Sequence, residues 1–220
     1  MESGRLSSRH LRSRQLCEDM GHQGKLSSPL RAHVGAPSYL TCNQTWTLLV
    51  QLERVEDPVT GCVWAPDGKT FTLGTLDKQR SLRTFNLKGE VVHDWGRRHR
   101  TQDLCGSRDG RWLVAIDEHR KIHVYNGNTR ELEYEMELPS TPTSVSVSQD
   151  STHLLVNKND GEAQYINLVT RKLVHKFLGH TGGECLIRAN FGGSSESFVV
   201  SGSEGKPAQS SSLHSVQGRG

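Results

Sequence analysis

Long apolar runs are missing from this chain, and none approaches the roughly 20 residues that a membrane-crossing helix needs. Cys-x-x-Cys pairs are missing too. The five cysteines (Cys17, Cys42, Cys62, Cys105 and Cys185) are scattered and odd in number. That spacing reads as free thiols in a reducing compartment, not as a disulfide framework or a zinc site. Nor is there an excess of one charge. The net charge is +3 with acids and bases well mixed, so bulk electrostatics give no reason to expect nucleic acid or an anionic membrane as partner. The N-terminus lacks a hydrophobic signal core, and the sequon Asn43-Gln44-Thr45 would matter only in a secreted protein. An intracellular protein is expected.

Catalytic motifs are absent as well. No Gly-x-Ser-x-Gly elbow, Walker loop or His-Glu-x-x-His occurs, and the stretches "GSEG" and "FGGSS" lack the following helix that would cradle a phosphate. Aromatic residues make up 6% and apolar residues 33% of the chain, with 22 glycines. Such a composition favours short elements joined by many turns, beside a segment that cannot build a core.

Residues 1–44 fit that last description, being rich in Ser, Arg, Gly and His with no sustained apolar period. They read as a disordered tail, with an organelle transit peptide as the alternative. From Thr45 the pattern changes. "TWTLLVQL", "VTGCVWA", "TFTLGTL", "SLRTFNL" and "VVHDW" are each of strand length and are separated by turn residues. Pro66-Asp67-Gly68 and Arg108-Asp109-Gly110 are tight-turn signals, because Asp and Gly tolerate the positive φ of a short hairpin.

The turn acids Asp67, Asp109 and Asp150 lie 42 and 41 residues apart. Ten residues after each comes a polar residue at a second turn: Asp77, His119 and Asp160. Each following strand ends in an apolar or aromatic residue and Asn, at Phe85-Asn86, Tyr125-Asn126 and Ile166-Asn167, with the asparagines 40 and 41 apart. Two landmarks thus keep one period, and four strand-like runs fit within each. A fourth unit begins with "CLIRAN" and "SFVVSGS".

A four-stranded unit of this period is the signature of a β-propeller blade. One blade has two apolar faces and cannot bury both alone, so blades stack around an axis. Helical repeats of 33 to 34 residues fail on period and on helix content; a seven-stranded sandwich suits the short strands but does not predict the fixed spacing. The expected fold is all-β: an incomplete propeller of about three and a half four-stranded antiparallel blades. The blades are expected near residues 55–97, 98–138, 139–180 and 181–204, within a partial propeller over 45–204.

Gly179-His180 follows the third unit's last strand, where WD40 repeats place their Gly-His, and "VSGSEG" resembles the segment of the next second strand. The chain is thereby similar to WD40-repeat proteins. In that family a His, a Ser or Thr, an Asp and a Trp form a hydrogen-bonded chain within a blade. Here the Trp-Asp positions hold Phe85-Asn86, Tyr125-Asn126 and Ile166-Asn167, so the turn-forming amide is kept and the indole donor lost. "PVTGCVWAPDGKTFTLGTLDK", "GRRHRTQDL", "DGRWLVAID", "SVSVSQDSTHLLVN" and "GHTGGECLIRANFGGSSESFVVSGSE" together resemble the C-terminal propeller of the WD-repeat subunit of the GID/CTLH ubiquitin ligase, over about residues 55 to 204. The resemblance implies a non-catalytic scaffold that recruits substrate or joins ligase modules. Other ligase subunits and substrate proteins would be its partners, in the cytoplasm and also the nucleus. A general WD40 adaptor unrelated to ubiquitin is the alternative. Nucleic acid, membrane and cofactor are not expected. The chain departs from the family in lacking a helical LisH–CTLH region before residue 45 and in ending on "GKPAQSSSLHSVQGRG". Residues 205–220 therefore read as a disordered tail of a truncated or spliced form. Open ends of that kind would expose apolar faces and strand edges, so an unstable or oligomeric chain is expected.

Candidate residues follow from these positions. Arg97, Arg98, His99 and Arg100 form the sharpest charge cluster, between the first and second blades, and read either as a solvated loop or as a contact for an acidic protein partner. Asp67, Asp77, Asp109, Asp150 and Asp160, with His180 and Ser201, read as structural blade-turn residues. His119 and His123 read as surface histidines, because four residues of strand span about 13 Å, too far for one tetrahedral zinc. No catalytic or metal-binding residue is expected.

Overall fold

The computed structural model describes residues 39–41, 48–52, 57–96, 99–179, 187–193, 195–204 and 209–212, and every element among them is a strand. No helix there is long and apolar enough to cross a membrane. The first four-stranded sheet runs β3 (Val59–Trp64), β4 (Thr70–Thr75), β5 (Leu82–Asn86), β6 (Val91–Asp94). The second holds β7 (Thr101–Gly106), β8 (Trp112–Asp117), β9 (Lys121–Asn126) and β10 (Leu132–Glu137). The third holds β11 (Pro142–Val147), β12 (His153–Lys158), β13 (Glu162–Asn167) and β14 (Leu173–Leu178). Each is an antiparallel meander in sequence order, which short turns alone can connect.

A three-stranded sheet of β15 (Ala189–Gly192), β16 (Phe198–Ser201) and β17 (Gln209–Ser212) follows, and a two-stranded sheet of β1 (Tyr39–Thr41) and β2 (Leu48–Gln51) precedes. Each of these two sheets includes a strand from a segment that the sequence reading assigned to a tail. Tyr39–Thr41 falls in the segment read as an unstructured start, yet pairs with Leu48–Gln51. Gln209–Ser212 falls in the segment read as an unstructured end, yet pairs with the whole of β16. Backbone N–H and C=O groups on an open strand edge attract any extended segment, so composition is a poor guide there.

The hairpin signals take the expected turns. Gly68 and Gly110 have φ of +67° and +75° after Asp67 and Asp109, while Ser151 adopts φ 61° after Asp150. Asn86 Oδ1 accepts the Lys88 and Glu90 amides at 2.9 and 3.0 Å; Asn126 and Asn167 do the same for their own turns, to Asn128 and Thr129 and to Val169 and Thr170. The side-chain amide thus closes the turn after the third strand of each four-stranded sheet.

Alternation along the central strands decides which neighbour each residue meets. From β8, Trp112, Val114 and Ile116 face the third sheet and join Leu154, Val156 and Ile166. Leu113 and Ala115 point the other way, with Tyr125, toward Leu82 of the first sheet. From the third sheet, Leu155, Ala163 and Phe177 meet Ala189 and Val199 of the next. Every residue of β8 is buried, because both faces are covered. Each fully buried Leu, Ile or Val contributes about 1.5–3 kcal/mol. Sheets approach closely at Gly74 and Gly106: an added Cβ would meet Thr101 Cγ2 at 2.6 Å and Val63 Cγ1 at 2.5 Å.

The first strands of successive sheets are stitched together. Thr60 Oγ1 donates to the Thr101 carbonyl at 2.7 Å, the Val145 amide to Asp103 Oδ2 at 3.1 Å, and the Ala189 amide to Ser144 Oγ at 3.1 Å. Outer strands β6, β10 and β14 are largely exposed. The architecture is an open β-propeller of about three and a half blades.

Candidate functional site

Polar side chains collect where β8 turns into β9. Asp117 ends β8, and its Oδ1 accepts the amides of His119 at 2.8 Å and Lys121 at 2.9 Å. Its other oxygen, Oδ2, lies 2.9 Å from Nε2 of His123 on β9. Nδ1 of the same ring lies 2.8 Å from Glu135 Oε1 on the neighbouring β10, which register places opposite His123. His99, from the connection between the first two blades, stacks on His123 with centroids 4.0 Å apart and planes 7° apart. Its Nε2 is 3.4 Å from Tyr125 Oη. His99, Asp117 and His123 are all buried, and one potential ligand atom of each lies within 4.8 Å of the other two. Burial opposes ionisation of Asp117, but the hydrogen bonds from His123 and from the Lys121 and His119 amides outweigh it, leaving its carboxyl below the usual range.

The third blade has a counterpart of opposite charge. Lys158 ends β12 as Asp117 ends β8, and only 1% of its side chain is exposed. Its ammonium contacts Asp160 at 3.0 Å and Glu162 at 2.9 Å. Glu162 also accepts from Gln164 and from Lys176, at 2.7 and 3.2 Å.

A third polar group bridges three sheets. Asp103 of β7 is fully buried, accepts from Val145 of β11, and meets Arg188 Nη2 at 2.9 Å just before β15. Burial pushes its carboxyl up, against the pull of Arg188 and the backbone donors. Asp103 and Arg188 escaped the sequence reading because 85 residues separate them and neither lies at a repeat landmark.

The predicted turn acids each accept an amide two residues on: Asp67 from Lys69, Asp77 from Gln79, Asp109 from Arg111, Asp150 from Thr152 and Asp160 from Glu162, at 2.7–3.1 Å. In the second blade this role at the later turn belongs to Asp117, not to His119, whose side chain is exposed. His123 is not a surface histidine: its side chain is 4% exposed, because β9 is an interior strand. His99 is likewise buried, not part of an open basic loop. Arg100 is exposed and pairs with Glu118 at 3.5 Å. Ser201 is buried and its Oγ donates to the Gly202 carbonyl at 3.1 Å. Arg97, Arg98 and His180 lie outside the described residues. Cys105 is a free thiol, and burial drives it well above its usual value.

Four-stranded blades in tandem, asparagine-closed turns and stitched inner strands define a β-propeller. No protein-family model matches the chain. Among curated proteins it is similar to "GID complex subunit 7" of Schizosaccharomyces pombe, 31% identical over 153 residues, 66% of this chain and 30% of that protein. It is also similar to "WD repeat-containing protein 26 homolog" of Arabidopsis thaliana, 32% identical over 146 residues, covering 65% of this chain and 24% of that protein. A third relative, "WD repeat-containing protein WDS homolog" of the same plant, is 30% identical over 149 residues, 66% of this chain and 28% of the relative. The two plant relatives are named as WD-repeat proteins, and the chain spans less than a third of the length of each of these relatives.

Proposed function

We propose that this chain serves as a non-catalytic scaffold that recruits substrate or joins modules of a GID/CTLH-type ubiquitin ligase, in the cytoplasm and nucleus. The supporting observation is its 31% identity over 153 residues with a protein named as a subunit of the GID complex. Its partners are other ligase subunits and substrate proteins, with no role for nucleic acid or membrane. The partner surface is the basic connection Arg97, Arg98 and Arg100; the buried His99 anchors that connection by stacking on His123 instead of reaching outward. Guanidinium groups suit acidic side chains, in bidentate pairs. The other reading, a WD-repeat adaptor unrelated to ubiquitin, is favoured by the two plant relatives, whose names carry only the repeat.

Pulldown of the tagged full chain from cell extract separates the two readings. Recovery of RING-containing ligase subunits is expected, and reversal of Arg97, Arg98 and Arg100 to Glu should lower that recovery at least tenfold without moving the melting temperature. Capture of protein partners without any RING subunit would leave only the adaptor.

A further inference from the structure

We infer that His99, Asp117 and His123 form a binding site for a borderline divalent cation such as Zn2+. This inference is independent of the ligase reading. Two imidazoles and a carboxylate are a ligand set that zinc accepts, at nitrogen and oxygen distances of about 2.0–2.2 Å. The three ligand atoms already lie within 4.8 Å of one another, so a modest contraction brings them onto one ion. The surroundings are what single this cluster out. Glu135 Oε1 holds His123 Nδ1 at 2.8 Å, which turns Nε2 toward Asp117. A carboxylate behind the far nitrogen of a ligating histidine is the usual outer-shell arrangement of metal sites. Asp117 is oriented in the same manner, with Oδ1 committed to two backbone amides and Oδ2 presented to His123.

In the metal-free arrangement His123 Nε2 and Asp117 Oδ2 share one proton at 2.9 Å. The cation takes that proton's place, and the proton leaves to solvent. His99 now lies parallel to His123, which is not a coordination geometry. It lies on the connection between the sheets, so binding requires its ring to turn about its side-chain bonds toward the gap, while His123 stays on an interior strand. The third blade serves as an internal control. There Lys158 and Gln164 occupy the places of Asp117 and His123, and neither is a ligand for a cation in that setting.

Titration of the full chain with Zn2+ by calorimetry and with Co2+ by visible absorption tests the site. One equivalent is expected to bind, with cobalt d–d bands of low coordination number and release of a proton. His99→Ala and Asp117→Asn should each weaken binding at least tenfold, and Glu135→Gln by roughly 10–100-fold. Glu135 lies on the outer strand, so its variant reports on the site even if the buried ones do not fold. The chain has 11 histidines and five cysteines, so a cation could bind elsewhere. Affinity unchanged in Glu135→Gln and in whichever buried variants fold, or no saturable binding by the unmodified chain, overturns the inference.

Discussion

The second and third blades place polar side chains at the same points of the same framework and fill them with opposite charge. Asp117 and Lys158 both end the second strand, opposite Thr101 and Pro142 at the start of the first. His123 and Gln164 follow on the third strand, and they face Glu135 and Lys176 across to the fourth. One blade assembles a histidine between two carboxylates; the other assembles an ammonium between two carboxylates, one of which reaches a second lysine. Strand geometry therefore fixes where a buried polar group is needed, and leaves open which charge supplies it. Among the described residues, only the first set belongs to a group of three potential ligand atoms that could share one ion.

The largest test of this comparison is Lys158→Met. Removing the buried ammonium leaves Glu162, whose side chain is 14% exposed, short of a partner. We expect a loss of about 3 kcal/mol in urea unfolding, largely recovered when Glu162→Gln is added. A loss under about 1 kcal/mol would mean that the two blades do not depend on these charges in the same way.

Asp117→Asn is the smaller counterpart, because the amide oxygen can still accept from His119 and Lys121. It should cost about 1–2 kcal/mol at pH 7. The sign of the pH dependence follows from the lowered carboxyl. A folded value below the unfolded one adds stability that is present above the ordinary carboxylate value of 3.8 and is lost as pH falls through the folded value. The gap between the unmodified chain and Asp117→Asn should thus close below about pH 4. A gap that widens in acid would contradict the assignment.

The smallest effect concerns the contact between the two blades. Tyr134 Oη on β10 donates to the Leu168 carbonyl at 2.7 Å, and burial raises its phenol to about 12. Tyr134→Phe should cost about 1 kcal/mol and leave both charged sets intact. A change in Zn2+ affinity in this variant would show that the blades are coupled.

Much of this fold was legible in the chain itself, and particular residues show why. Asp67, Asp109 and Asp150 kept their period because each closes a turn with its own backbone two residues on, a local interaction that leaves a local trace. Asn86, Asn126 and Asn167 did so for the same reason. The candidate metal site left no such trace. Its ligands come from a connection, a strand end and a neighbouring strand, and the visible pair His119 and His123 was the wrong pair. His119 points to solvent while His99, 24 residues before His123, supplies the second ring. Arg188 and Asp103 were hidden in the same way.

The sequence by itself determined the number of strands per unit, the turn residues and the repeat, because hairpins and side-chain-closed turns are set by residues within a few positions of one another. Only the tertiary structure decided which polar groups meet. Stacking sheets around an axis brings residues from successive repeats to within 3 Å, and no local pattern records which side chains that stacking will bury together.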